Sequence, residues 1–175
     1  WSPMERVHVV GNRADPVAER CLASVAAVSE ITATEPTTAA TTAAITAAVL
    51  HDGARRVIVV GGDGMVHAAV NALAPLAAAG HEVSLGIVPL GTGNDFARAL
   101  GIPLDNTVAA CTIATGEAAG IDLLHTDHGW VASVATCGFP ARVNARANRM
   151  RWPKGSTKYT LATLRELPRL RADRL

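Results

Sequence analysis

The sequence predicts an α/β protein with a doubly wound, mostly parallel sheet, and three observations carry that expectation. Apolar runs of strand length alternate with alanine-rich runs of helix length. The clearest apolar run, "RRVIVV" ending at Val60, is β-branched without interruption, as a strand buried on both faces must be. Two such runs end in glycine-rich turns, "GGDG" at Gly61–Gly64 and "GTGND" at Gly91–Asp95. Right-handed crossovers would place helices on both faces, giving three layers. In such sheets ligands bind beyond the carboxyl ends of the strands, where both turns fall.

The elements follow in order. "RVHVV", ending at Val10, reads as the first strand, and "GNRAD" leads to a helix beginning near Pro16. "SEITATE" around Ile31 supplies a second strand. "PTTAATTAAITAAVLHDG" reads as a helix with Pro36 in its first turn, Ile45 and Val49 four residues apart, and Gly53 at its stop. The strand that reaches Gly61 runs through the first turn into a helix opening at about Met65. "HEVSLGIVPL" gives another strand, ending at Pro89 and Leu90. Phe96 and Leu100, after the second turn, are expected in the core. "TVAACTIATG" makes a short helix, and "GIDLLHTDHGWVASVATCGF" two strands joined at Asp127-His128-Gly129. "ARVNARANRMRW" forms a helix with Arg142, Arg146 and Arg149 along one side. "STKYTLATLRELPRL" offers a second amphipathic helix on Leu161, Leu164 and Leu167, ending near Pro168.

The chain has 175 residues, room for one domain with a sizeable core or for one and a fragment of another. Hydrophobic residues at 49% and charged residues at 18% are a globular composition. No apolar run approaches the ~20 residues of a membrane span, so membrane contact is expected to be peripheral. The opening "WSPMERVHVV" lacks the basic start and apolar centre of a secretory signal, and the missing initiator Met suggests an excerpt or a processed chain. Cys21, Cys111 and Cys137 follow no metal-ligand spacing and read as buried small apolar residues in a reducing compartment. His8, His51, His67, His81, His125 and His128 form no ligand pair, and Trp130 and Trp152 read as core or interface residues.

The net charge of +1 hides an asymmetry. From Arg142 onward ten Lys and Arg face two acids, while the preceding residues carry six against thirteen. Such separation attracts acidic membrane surfaces or nucleic acid, or marks an interface.

The turns carry the chemistry. With side chains absent at Gly61, Gly62 and Gly64, the backbone can approach a phosphate and aim N–H groups at it, while the helix dipole favours the anion. Asp63 inside that turn would repel phosphate unless a cation, hydroxyl or water-bound metal stands between them; equally, it can be a helix cap that needs no ligand. In the second turn Thr92 offers a hydroxyl, Asn94 can cap the following helix, Asp95 adds an acid, and Arg98 can face a phosphate or, the reading preferred, cover the helix. There is no G-x-x-x-x-G-K-[ST], and His67 stands where a dinucleotide fingerprint needs its third glycine, so both of those sites are excluded.

"GGDGMVHAAVNAL" followed by "IVPLGTGNDFARALGIP" resembles the catalytic domain shared by diacylglycerol kinases and related bacterial lipid and sphingosine kinases. "GIDLL" around Asp122, "CGFPARVNARANRMRW" and the helix bearing Tyr159 continue the likeness in order. The resemblance implies a phosphofructokinase/NAD kinase-like nucleotide-binding domain over residues 5–170, with 171–175 opening a linker to a β-rich second domain absent from this chain. It implies an ATP- and Mg2+-dependent lipid kinase that makes phosphatidic acid, cytoplasmic and peripherally membrane-associated. Its implied partners are ATP, a lipid alcohol, an anionic membrane and a second copy of the chain, but no nucleic acid. By position, Asn12, Thr34, Gly61, Gly62, Asp63, Gly64, Gly91, Thr92, Gly93 and Asn94 match the nucleotide site. Asp63, Asp95 and Asp122 match acids of a water–magnesium network, and Asp63 is the candidate catalytic group.

Some positions depart from the family pattern. Met65 stands where Thr is usual and Ala68 where Glu is usual, and the first loop reads Asn12-Arg13-Ala14. These changes keep open a degenerate kinase or a non-catalytic nucleotide-binding module; a soluble-substrate kinase resembling NAD kinases is a separate alternative, against which the run Asn94-Asp95-Phe96-Ala97-Arg98 argues.

Overall fold

A computed structural model describes residues 7–11, 16, 28–32, 38–133, 138–150, 152 and 157–169. The chain divides into two compact units, Trp1–Ser133 and Val134–Leu175.

The first unit is built on a four-stranded sheet of β1 (Val7–Gly11), β2 (Val28–Thr32), β3 (Arg56–Gly61) and β4 (Ser84–Pro89), in the order β2-β1-β3-β4. All neighbouring pairs are parallel, and β3 and β4 run residue for residue from Arg56 beside Ser84 to Gly61 beside Pro89. Valine and isoleucine dominate because both faces are covered. Val57, Val59 and Ile87 face one side, with Ile45 and Val49 of α1 (Thr38–Leu50) and Val66, Val70 and Leu73 of α2 (Asp63–Ala78). Ile58, Val60 and Val88 face the other, with Ala110 and Ile113 of the helix Asn106–Thr115. The three-layer arrangement is therefore as expected. Each fully buried side chain of this size stabilises the fold by roughly 1.5–3 kcal/mol.

α1 and α2 meet through alanines, and Thr42 Oγ1 donates to the Ala68 carbonyl at 3.3 Å. Ala68 is itself buried, so its position serves helix packing. α2 begins at Asp63, two residues before the expected start, because Gly62 already accepts from the Met65 and Val66 amides. A five-residue α3 (Asp95–Ala99) and α4 (Asn106–Thr115) follow, the latter capped by Asp105 Oδ1, which accepts from the Thr107 and Val108 amides.

The expected hairpin is present as β5 (Leu124–Thr126) and β6 (Gly129–Val131). Asn71 of α2 holds it by both backbone groups of one residue: its Nδ2 donates to the Trp130 carbonyl at 3.0 Å and its Oδ1 accepts the Trp130 amide at 2.9 Å. Gly129 has φ +112, and a Cβ there would lie 2.5 Å from Asn71 Oδ1, so glycine is required twice over. Trp130 packs half-buried against the core, its ring tilted on His125.

The second unit is a helical pair, α5 (Gly138–Arg149) and α6 (Thr157–Glu166), with a 3-10 turn at Leu167–Arg169. Its core is Val143, Ala147 and Ala162, lined by Phe139 and Met150. Arg146 pairs with Glu166, which is buried.

Four expectations are corrected. Leu100 is exposed, because it ends the short α3 and borders a cavity of ≈ 660 Å³ along the outer edge of β4, with Ile102 and Ile113. Cys111 is exposed, because α4 turns Ala109, Ala110 and Ile113 inward instead. Leu164 and Leu167 are exposed, because α6 packs through Ala162 and Glu166 instead. Trp152 is 80% exposed, which excludes the core and leaves the interface of its two expected places. Cys21, Cys137, Pro36 and, apart from Pro16, the helix expected after the first strand lie outside the described residues.

Candidate active site at the strand ends

The in-register pairing of β3 and β4 starts both glycine turns side by side. Gly61 lies opposite Pro89, and the Leu90 amide donates to the Gly61 carbonyl at 2.9 Å. From there the two backbones touch. A Cβ on Gly62 would sit 2.9 Å from the Gly91 Cα, and one on Gly91 would sit 2.6 Å from the Gly62 Cα. Neither position accepts a side chain without moving main chain. β1 ends at Gly11 beside Val60, at the same end of the sheet. Asn12 and Thr34 lie outside the described residues.

The first turn is open. Gly62 caps α2 in extended conformation without any side-chain cap, so the first N–H groups of the helix lack intrahelical partners. No atom comes within 4 Å of a Cβ built on Gly64, leaving clear space above that helix end. Met65 folds back over Gly61, where an added Cβ would meet its Sδ at 2.5 Å. A thioether therefore fills this place against the core and offers no hydroxyl.

The second turn is held by its own side chains. Asn94 adopts the left-handed conformation at φ 52 and is buried. Its Oδ1 accepts the Gly91 amide and its Nδ2 donates to the Gly91 carbonyl, both at 2.8 Å. That ring uses the amide group fully, so Asn94 does not cap α3 with its side chain as the sequence suggested. The cap comes from the other turn: Asp63 Oδ1 accepts the Phe96 amide at 3.3 Å. Arg98, expected to cover its helix, donates from Nε to the Gly93 carbonyl at 3.1 Å. Thr92 is left exposed at the tip.

Two carboxylates converge on Gly93. A Cβ there would lie 3.0 Å from Asp63 Oδ2 and 3.6 Å from Asp95 Oδ2. Two acids beside open helix N–H groups suit a hydrated divalent cation facing a phosphate, since Mg2+ takes one or two carboxylates and keeps several waters. No group of three or more His, Cys, Asp or Glu gathers as a direct metal set among the described residues. Asp122 is exposed in the segment between α4 and β5, and no contact described for Asp63 or Asp95 involves it. The structure thus unites Gly61, Gly62, Asp63, Gly64, Gly91, Thr92, Gly93, Asn94 and Asp95. It adds the brace from Arg98 to the Gly93 carbonyl and the Phe96 amide as the partner of Asp63, two roles that sequence reasoning did not assign. An Asn three residues after Gly91 was the available signal for the side-chain ring.

Residues 11–126 match the diacylglycerol kinase catalytic domain family. The chain belongs to that family. A diacylglycerol kinase of Mycobacterium tuberculosis (strain ATCC 25618 / H37Rv) is 46% identical over 130 residues, covering 71% of this chain and 40% of that protein. The Cronobacter sakazakii protein named "Probable lipid kinase YegS-like" is 36% identical over 124 residues, covering 70% and 41%. A solved structure titled as diacylglycerol kinases from Bacillus anthracis str. Sterne shares the fold with a TM-score of 0.62 at 24% identity, over 94% of this chain and 58% of that one. The chain spans about 40% of the length of the curated relatives it matches. As a diacylglycerol kinase family domain it carries both glycine turns inside the matched segment.

Proposed function

We propose that this domain supplies the nucleotide half of an ATP-dependent lipid kinase, which moves the γ-phosphoryl group of ATP to the hydroxyl of diacylglycerol or a related lipid alcohol. The observation that carries the reading is the backbone contact of Gly62 with Gly91, which makes one rim of two phosphate-type turns. Phosphoryl transfer asks a protein chiefly to position the triphosphate and balance its charge. The open N–H groups at Asp63 and Gly64 and the Thr92 hydroxyl bind phosphate oxygens; Asn94 and Arg98 keep the second turn in shape. Asp63 and Asp95 would hold the hydrated Mg2+, with Asp122 as a further water-mediated acid, and the ion would supply charge neutralisation between phosphates and carboxylates. Asn12 and Thr34 are proposed nucleotide contacts from the neighbouring loops. Within this chain Asp63 is the proposed base. The lipid oxygen bonds to the γ-phosphorus, the bond to the bridging oxygen of the departing ADP breaks, and the hydroxyl proton passes to a carboxylate oxygen.

The substrate meets the protein at a membrane surface, where the surplus of basic residues after Arg142 favours anionic lipid. No helix among the described residues is long and apolar enough to cross a membrane. Cytoplasmic location, self-association into a homodimer, and the span of residues 5–170 as one catalytic domain with a linker from 171 belong to the same proposal.

The packing of Met65 over Gly61 favours a second reading, a nucleotide-binding module without catalysis. Radiolabelled ATP offered to the full-length protein with diacylglycerol vesicles, sphingosine-type bases and NAD in parallel separates the readings. Labelled phosphatidic acid is expected. Labelling of NAD alone would end the lipid reading, and ATP binding with no labelled product would establish the second.

A further inference from the structure

β4 has an outer side that neither the phosphate rim nor the proposed reaction uses. It ends the four-stranded sheet, and among the described residues β3 is its one strand neighbour. Its backbone groups alternate between two sides. The Ser84 amide donates to the Arg55 carbonyl and the Leu90 amide to the Gly61 carbonyl, both at 2.9 Å, so Ser84, Gly86 and Val88 face β3. Leu85 and Ile87 therefore turn their N–H and C=O groups away from the sheet, and Pro89 ends the strand with no N–H to offer. The devices that guard a free edge are missing here, for no charge, bulge or proline interrupts residues 84–88. The edge opens on the cavity of ≈ 660 Å³, whose walls include Leu73, Leu85, Ile102, Ile113, Ile121 and Leu123. Leu85 and Ile113 are half-buried there, at the margins of the two cores on opposite faces of the sheet.

We propose that this edge is completed by one more strand, supplied by the part of the full-length protein that follows Leu175. Such a strand gives the Leu85 and Ile87 backbone groups their partners and fills the cavity with its side chains. A lipid chain would suit the aliphatic walls but offer those groups no hydrogen bond, which N–H and C=O groups covered from water require. A second copy of the chain could pair edge to edge. A tethered segment outcompetes it, since tethering gives an effective concentration on the order of millimolar. The matched region covers 40% and 41% of two curated relatives, so proteins of this family have polypeptide to spare for such a strand. α2 covers one face of the sheet at this edge and α4 the other. The added strand is therefore apolar on both faces, a short run rich in valine, isoleucine or leucine like β3. It uses no residue of the phosphate rim and is independent of the kinase reading.

Two measurements on the full-length protein, without ATP or lipid, test the proposal. Residue-resolved hydrogen exchange reads the outward amides and needs no substitution. Leu85 and Ile87 are expected to exchange within about tenfold of Gly86 and Val88, whose amides face β3. Exchange of Leu85 faster than that would show an open edge and overturn the proposal. Photo-crosslinking then identifies the occupant. Benzoylphenylalanine introduced at Thr112, an exposed residue of the cavity wall, is expected to capture an apolar segment beyond residue 175 of the same polypeptide. The yield should not change on dilution. Capture between isotopically light and heavy copies would assign the edge to a second copy and overturn the proposal. Capture confined to residues 1–175 would overturn it too. Neither measurement reads phosphoryl transfer, so a protein with a protected edge and no lipid product defeats the kinase reading and leaves this one standing.

Discussion

The turn after β3 and the turn after β4 share a rim but are built by different means. The first passes directly from strand to helix and has no side-chain cap; Gly64 above it is open on every side. The second is closed on itself by the Asn94 ring and braced by Arg98 and by Asp63 reaching across. The difference separates two costs. Changes to the Asn94 ring and its braces should be felt as stability, and changes at the open helix end or at the exposed Thr92 as ligand binding. Asp63 belongs to both, since one oxygen caps α3 while the other faces Gly93.

The division can be broken most forcefully at the contact itself. Gly91→Ala drives a methyl to 2.6 Å from the Gly62 Cα, and also to 2.7 Å from Asn94 Oδ1. Denaturant unfolding should show a loss of ~3 kcal/mol or more, because main chain must move. A variant as stable as the parent would mean that the turns do not touch. Asn94→Ala comes next: it removes the side-chain partners of the Gly91 amide and carbonyl and puts a residue less tolerant of the left-handed region than asparagine at φ 52. The expected loss is about 2 kcal/mol, and Asn94→Gly, which relieves the backbone alone, should recover part of it.

Asp63→Asn keeps an acceptor for the Phe96 amide, so calorimetry should find stability within ~1 kcal/mol of the parent. The phosphoryl transfer proposed for the full-length protein should nevertheless fall by about 10²-fold or more, since the charge facing Gly93 is gone. A large loss of stability with activity retained would make Asp63 a cap and nothing else. The smallest structural effect belongs to Gly64→Ala. Its backbone is ordinary helix and its surroundings are empty, so the variant should be slightly more stable, by about 0.5–1 kcal/mol.

Much of this was legible in the sequence, for identifiable reasons. β3 is a run of valine and isoleucine buried on both faces and β1 is valine-rich around His8, and such strands announce themselves; β4 carries only Ile87 and Val88 of that kind. The glycines announce a close approach, although not to what; only the pairing of Gly61 with Pro89 shows that Gly62 meets Gly91. Where the reading failed, a local pattern had two packing solutions. Leu161, Leu164 and Leu167 form a stripe on α6, yet a small residue and an ion pair took the inner face. Asn94 was legible as a turn residue, but whether its amide would serve α3 or Gly91 depended on Asp63, which comes from another part of the chain. Asn71 gave no sign of its role, because its partner peptide lies 59 residues away.

The central claim is that both turns grip one triphosphate, and calorimetric ATP titration of Gly64→Ala and Thr92→Val with Mg2+ present tests it most directly. Each changes one turn at a position where no side-chain contact holds the turn in shape. The account predicts unliganded melting temperatures at or above the parent's, with ATP affinity about fivefold or more weaker in both variants, as expected when a hydrogen bond to a charged group is lost or blocked. Parental ATP affinity in either variant would contradict it.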